Sequence, residues 1–274
     1  MSRQPFPARV PEPWAVEWGE DRHGIFQSFA VAGVVQRMRW IPPGRFTMGS
    51  PPGEVGRFDD EVQHEVELTQ GYWMADTPCT QALWGGVMGE RSSRSKDHKR
   101  PVEQVSWDGC KVFLKKLNER VDGLGARLPT DAEWEHACRG GTETATWLGD
   151  LDGAHDFVKA PILDAIAWYH GNADREAKPV GLKQPNPYGL YDMLGNVFEW
   201  CKDWYASYDL KATADPTGPD VGSGRVIRGG SWSTDARRVR AAYRRAYGPG
   251  YRRVSVGFRL VRDQGPGPGG RSAR

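Results

Sequence analysis

No apolar run in the sequence approaches the roughly 20 residues that span a bilayer, and the mean hydropathy is −0.64. No membrane association is therefore expected. Cysteine is scarce: Cys79, Cys110, Cys138 and Cys201 are the four in 274 residues. They lie far apart and form no CxxC pair, which argues against a zinc site. The N-terminal stretch lacks the hydrophobic segment of a secretory signal, so a cytoplasmic protein with free, buried thiols is expected. Six histidines (His23, His64, His98, His136, His155 and His170) show no metal-ligand spacing. Charge of one sign is also lacking overall, with a net of +2.

What is abundant is Trp (12), Gly (34) and Pro (20). Large aromatics with many turn formers predict short elements and long packed loops. Residues 1–29, Pro-rich and charged, read as an extended arm. Residues 30–263 read as one domain, and 264–274 as a disordered tail too poor in apolar residues to bury anything. Alternation predicts strands over Val35–Ile41 and His64–Leu68. Further strand-like runs are Arg225–Arg228 and Val256–Val261. Thr77 followed by Pro78 predicts the start of a short helix running to Trp84. Ser106 is a second N-cap. Thr130–Glu133 is a capping box opening a helix that stops at Gly140-Gly141. The fold class expected is α+β, with few helices, short strands and long irregular loops.

Seven stretches then fall in one order: Ile41–Ser50 (IPPGRFTMGS), Pro101–Trp107 (PVEQVSW), Arg127–Glu135 (RLPTDAEWE), Asn186–Met193 (NPYGLYDM), Gly195–Trp200 (GNVFEW), Arg228–Trp232 (RGGSW) and Gly257–Arg259 (GFR). In that order they resemble the formylglycine-generating-enzyme, or sulfatase-modifying-factor, family. The resemblance implies an elaborated C-type-lectin-like fold, in which the first and last strands pair and irregular loops carry the binding surface.

It also implies a structural calcium ion at the Gly-Asn-x-x-Glu-Trp turn. The positions carried over are Asp192 and Glu199 through their carboxylates, and Gly195 and Val197 through their carbonyls, a mixture of hard oxygens that Ca²⁺ accepts. Without a metal, Asp192 would cap a turn and Glu199 would pair with a core arginine. Catalytic relatives use two copper-binding cysteines just after the RGGSW strand. Here that segment reads Ser233–Arg240 (STDARRVR), and no cysteine follows Cys201. Hydroxyls cannot replace soft thiolates on copper, so no copper is expected. An iron-dependent branch of the family draws histidines from a separate helical domain for which this chain has no room.

Between Arg225 and Arg262 many arginines face one acid, Asp235, with Tyr243, Tyr247 and Tyr251 interleaved. Three readings stay open. Arg240 and Arg244 match a family pattern of scaffold arginines. Basic residues with aromatics also suit nucleic acid. Third, the segment resembles that of variable proteins of diversity-generating retroelements, which share this fold and this flanking tail. Adenine-directed diversification, acting mostly at Asn codons, cannot produce Lys, Glu, Gln, Met or Trp, and none of the five occurs from Ser233 to Ser255. The variable, ligand-contacting positions would be Ser233, Thr234, Asp235, Arg238, Tyr243, Arg245, Tyr247, Tyr251, Arg253 and Ser255. The leading functional expectation is a non-catalytic binding protein whose partner is a protein or other macromolecule. The alternatives are an oxidoreductase acting on protein cysteine and a nucleic-acid binder.

Overall fold

The computed structural model describes residues 6–90, 92–94, 96–151 and 160–265. In chain order the elements are β1 (Glu17–Asp21), β2 (Gly24–Val31), β3 (Val34–Ile41), β4 (Gly44–Met48), β5 (His64–Leu68), β6 (Tyr72–Ala75), α1 (Gln81–Met88), α2 (Trp107–Arg120), β7 (Ala126–Arg127), α3 (Asp131–Arg139), α4 (Pro161–Asp164), β8 (Phe198–Trp204), β9 (Arg225–Arg228), β10 (Arg244–Tyr247), β11 (Val256–Gly257) and β12 (Val261–Asp263). The class is α+β, as expected.

Six strands form one sheet in the order β1-β2-β3-β6-β12-β7, and four form another, β10-β9-β8-β11; β4 and β5 make a separate hairpin. The β2–β3 turn is Ala32-Gly33, with φ of 50° and 77°. Positive φ at both positions is what a two-residue turn matching strand twist requires. One core lies between the six-stranded sheet, α1 and α2, where Trp84 stacks on Phe113 with ring centroids 5.2 Å apart. A second lies around α3, with Trp134 and Leu194 buried in it.

The expected arm is strand over much of its length. Residues 17–21 and 24–31 form β1 and β2, and β2 pairs with β3 from Phe26 to Val31. The pattern hid β2 because neighbouring Gln27 and Ser28, on opposite faces of the strand, are polar yet fully buried; the Gln27 side-chain oxygen accepts from the Glu12 backbone N–H at 2.6 Å. Ahead of these strands, Trp14 packs edge-on against Trp73, and Glu12 pairs with Arg262 at 2.8 Å. Most of the expected tail, 266–274, lies outside the described residues.

The first and last strands share the large sheet without pairing. β12 sits between β6 and β7, whereas β1 is an edge strand bonded only to β2. The run Val256–Val261 splits, since β11 pairs parallel with β8 before the chain crosses to the other sheet. The first helix also starts one turn later than predicted, at the Thr80 cap, whose hydroxyl accepts from Leu83 N–H. Thr77 precedes proline, which disfavours helical backbone, and Cys79 is held extended by bonds to Phe258 and Val102. Ser106 caps α2, and the Thr130–Glu133 box caps α3, which ends at Gly140 with φ 58°. Among the described residues no helix is long and apolar enough to cross a membrane.

Thr130 and Glu133 satisfy each other's backbone amides. Thr130→Ala should lower the free energy of unfolding by about 1 kcal/mol in urea denaturation; an unchanged midpoint would show that α3 is held by packing alone.

Candidate ligand-binding surface

The segment after β9 begins at Gly229-Gly230, with φ of 92° and 77°. A Cβ on Gly229 would lie 2.7 Å from the Met193 carbonyl, and one on Gly230 2.7 Å from that of Arg238. Only glycine fits this approach. The chain then turns on itself. Thr234 Oγ1 accepts from Ser231 N–H at 2.9 Å, and a short 3-10 turn spans Ala236–Arg238. At the far end Trp232 Nε1 donates to the Val254 carbonyl at 3.1 Å, closing the loop across 22 residues.

Two arginines pin this loop from inside. Arg240, fully buried, is held by Glu54 and by Glu61 at 2.7 and 2.9 Å, and donates to the Gly56 carbonyl. Arg244 donates to Asp131 at 2.8 Å and to the Ala206 carbonyl, with its guanidinium over the rings of Tyr205 and Tyr208. Arg244 and Arg228 together hold Asp131 ionised: burial works against the charge, but the two guanidinium groups keep its carboxyl below the usual range. Arg240 and Arg244 are thus scaffold.

On the opposite face of β10 Arg245 is exposed, because successive strand side chains alternate. Here Ser233, Thr234, Asp235, Arg238, Arg245, Tyr247, Arg253 and Ser255 line one concavity of about 250 Å³, with Phe198. These are eight of the ten positions singled out from the sequence. Of the other two, Tyr251 lies at the rim, its ring stacked on Tyr247 at 4.3 Å. Tyr243 is the correction: it is 5% exposed and packs on Phe58 and Phe198, so it belongs to the floor and not to the contact surface. Ser255 is also mostly covered, at 2% exposed.

Arg238 pairs with Asp235, and Arg253 donates to the Tyr247 hydroxyl at 3.2 Å. Among the described residues neither Arg245 nor Arg253 has a carboxylate partner. The surface can therefore offer two uncompensated guanidinium groups, stacked tyrosines and small hydroxyls. Phe198 was missed because it sits inside the GNVFEW run read as a metal motif; alternation along β8 turns it away from Glu199 and towards the concavity.

The calcium expectation does not fit the donor set. Glu199 is buried and accepts from Arg259 Nε at 2.8 Å and Nη2 at 2.9 Å, and from Trp134 Nε1 at 2.7 Å. Asp192 accepts from Gly181 N–H at 2.8 Å and Asn196 Nδ2 at 3.1 Å. Gly195 and Val197 lie between them in sequence, but a cation here would meet Arg259 at full charge in a buried setting. The four cysteines are free and buried, and burial pushes each thiol well above its ordinary pKa.

Residues 26–264 match the sulfatase-modifying factor enzyme 1-like domain. The chain is 34% identical over 215 residues to a formylglycine-generating enzyme of Thermomonospora curvata, covering 73% of this chain and 67% of that one. It is 35% identical over 170 residues to the serine/threonine-protein kinase pkn1 of Chlamydia pneumoniae, 60% of this chain but only 24% of the kinase. The chain thus spans about a quarter of that relative's length. Among solved structures, Treponema denticola variable protein 1 superposes with a TM-score of 0.75 at 30% identity, covering 87% of this chain and 99% of that one.

Interior and surface arginines should separate sharply on substitution. Arg240→Ala leaves Glu54 and Glu61 buried without a cation and should cost about 3–5 kcal/mol. Arg245→Ala and Arg253→Ala should each stay within about 0.5 kcal/mol of wild type. Chemical denaturation of the three variants checks this; equal losses would remove the distinction. Because Arg259 already neutralises Glu199, the melting temperature should be the same in millimolar calcium and in excess EGTA.

Proposed function

The chain belongs to the sulfatase-modifying factor enzyme 1-like family, and on that premise we propose that it is a non-catalytic ligand-binding protein. Its contact surface is the outer face of residues 233–255. The observation that carries this is the convergence of eight sequence-selected residues on one concavity. The residue types support the reading, since arginine and tyrosine give recognition surfaces much of their contact energy. The partner is a protein or other macromolecule, and two unpaired guanidinium groups favour acidic side chains on it.

The family's oxidative chemistry finds little support. Ser233–Arg240 holds no thiol, and the four thiols elsewhere are buried and hard to ionise, whereas the thiolate is the reactive form. Nucleic acid is disfavoured too, because Arg228, Arg240, Arg244 and Arg259 are spent on buried carboxylates. We further propose that the outer positions are diversified, as in retroelement variable proteins. The missing Lys, Glu, Gln, Met and Trp, and a scaffold that fixes the loop from inside, support this. Four unpaired cysteines suit a reducing compartment, which supports a cytoplasmic location.

Incubation with copper, oxygen and a cysteine-containing peptide should give no aldehyde product; turnover would overturn the non-catalytic reading. Joint randomisation of Ser233, Asp235, Arg238, Arg245 and Arg253 should keep most clones folded while changing what they bind. Widespread unfolding would show these positions to be structural. A reverse transcriptase beside the gene, with a near-copy of the segment's DNA differing at adenines, is expected; its absence would remove the diversification reading.

A further inference from the structure

A second cavity, of about 430 Å³, opens between the start of α3, the end of β8 and the loop 206–219. It lies against the inward side of β10, so Arg244 lines it while Arg245 lines the surface described above. Three buried polar atoms of residues that line it have no hydrogen-bond partner: Asp203 Oδ1, Tyr208 Oη and Arg244 Nε. Buried polar groups are nearly always satisfied, so three exceptions around one cavity call for an explanation. Asp203 is 4% exposed and its other oxygen accepts from Asp131 N–H at 2.6 Å, so the open oxygen is held in a fixed direction.

The charges choose the ligand. Arg244 is paired with Asp131, which it shares with Arg228. The remaining carboxylates on the wall are Asp203, Asp209 and Asp215, and the latter two are occupied by the Lys211 N–H and by Thr69. Asp203 alone among these three has a buried oxygen that lacks a hydrogen bond. Alanines, prolines and Met48 supply most of the rest of the wall. No set of metal ligands converges here, and the volume suits an organic group. We propose that this cavity binds a small organic cation, an alkylammonium group that donates to Asp203 Oδ1 and Tyr208 Oη while its chain lies against the apolar wall.

The titration of Asp203 agrees with this. Burial, then the charges of Asp131 and Glu133 on α3, pushes its carboxyl up to about 7, against the hydrogen bond from the Asp131 N–H and the charge of Lys202. Arg225 from β9 also senses it, and Arg244 and His64 share the cavity wall. A bound ammonium supplies the missing counter-charge and favours the ionised acid. Below about pH 7 the acid must first lose its proton, so ammonium binding weakens as pH falls through that value and is constant above it.

The test is a titration of the whole protein with n-butylammonium, n-butanol, butyrate and a blocked Gly-Lys-Gly peptide, followed by calorimetry and NMR. n-Butylammonium should saturate one site, and affinity should fall between about pH 8 and pH 6. n-Butanol and butyrate should not bind. Asp203→Asn should weaken binding about tenfold or more and abolish the pH dependence. Tyr208→Phe, which keeps the ring under Arg244, should weaken it less and decides the matter together with the wild-type pH profile if the Asn variant does not fold. Saturation by the peptide as well would identify a presented lysine as the source; saturation by the free amine alone would identify a metabolite-like amine. Preference for butyrate, no saturable binding of any probe, or full affinity in a folded Asp203→Asn protein would overturn the proposal.

Discussion

Buried arginine–carboxylate pairs hold this fold in register. Arg228, Arg240 and Arg259 are each fully buried. Arg228 joins β9 to Asp131 and to Glu135 (2.5 Å) on α3; Arg240 joins the 233–255 segment to the loop carrying Glu54 and Glu61. Arg259 joins the β11–β12 crossing to Glu199 on β8 and to the carbonyls of Ala75 and Tyr191. Such pairs add little net stability relative to apolar residues, since desolvation offsets most of the attraction. Their contribution is directional. In a domain built largely of loops, few ladders fix one segment against another, and a planar guanidinium with five donors can do so.

The candidate binding surface depends on that arrangement. Loops can change their outer side chains only where the backbone is fixed by other means. Here the inner side of the segment supplies Arg240 and Arg244, Gly229-Gly230 sets its entry, and the Trp232–Val254 bond closes it. The outer side chains of Ser233, Asp235, Arg238 and Arg253 bond within the segment itself, to Ser231, to each other and to Tyr247. Neighbours such as Arg244 and Arg245 thus do opposite work, and strand alternation decides which does which.

Much of the frame was legible in the sequence, and what escaped had physical causes. The caps at Ser106 and Thr130 depend on neighbours within four residues, so local reading found them. Thr80 was passed over for Thr77 because the extended backbone at Cys79 comes from bonds to Val102 and Phe258, distant in sequence, which no local rule sees. β2 was hidden because its buried positions include Gln27 and Ser28, and β1 because none of its residues is buried. The candidate surface was legible because composition marks it as a block, but the floor role of Tyr243 required knowing that Phe58 and Phe198 flank it. The Asp203 cavity left no trace in the sequence, since it forms only where the loop 206–219 folds back over α3.

The two carboxylates Glu199 and Asp203 show how far one strand can separate similar groups. Both lie on β8 and both are buried, at 0% and 4% exposed. Glu199 meets Arg259 and Trp134, so its charge is matched inside the protein and no outside cation is needed. At Asp203 the guanidinium on the cavity wall, Arg244, is paired with Asp131, and burial pushes the Asp203 carboxyl up to about 7. A group in that state is costly to keep unless something beyond the chain completes it. The family motif around Glu199 therefore describes a closed structural centre here, while the chemically open position lies four residues further along the same strand.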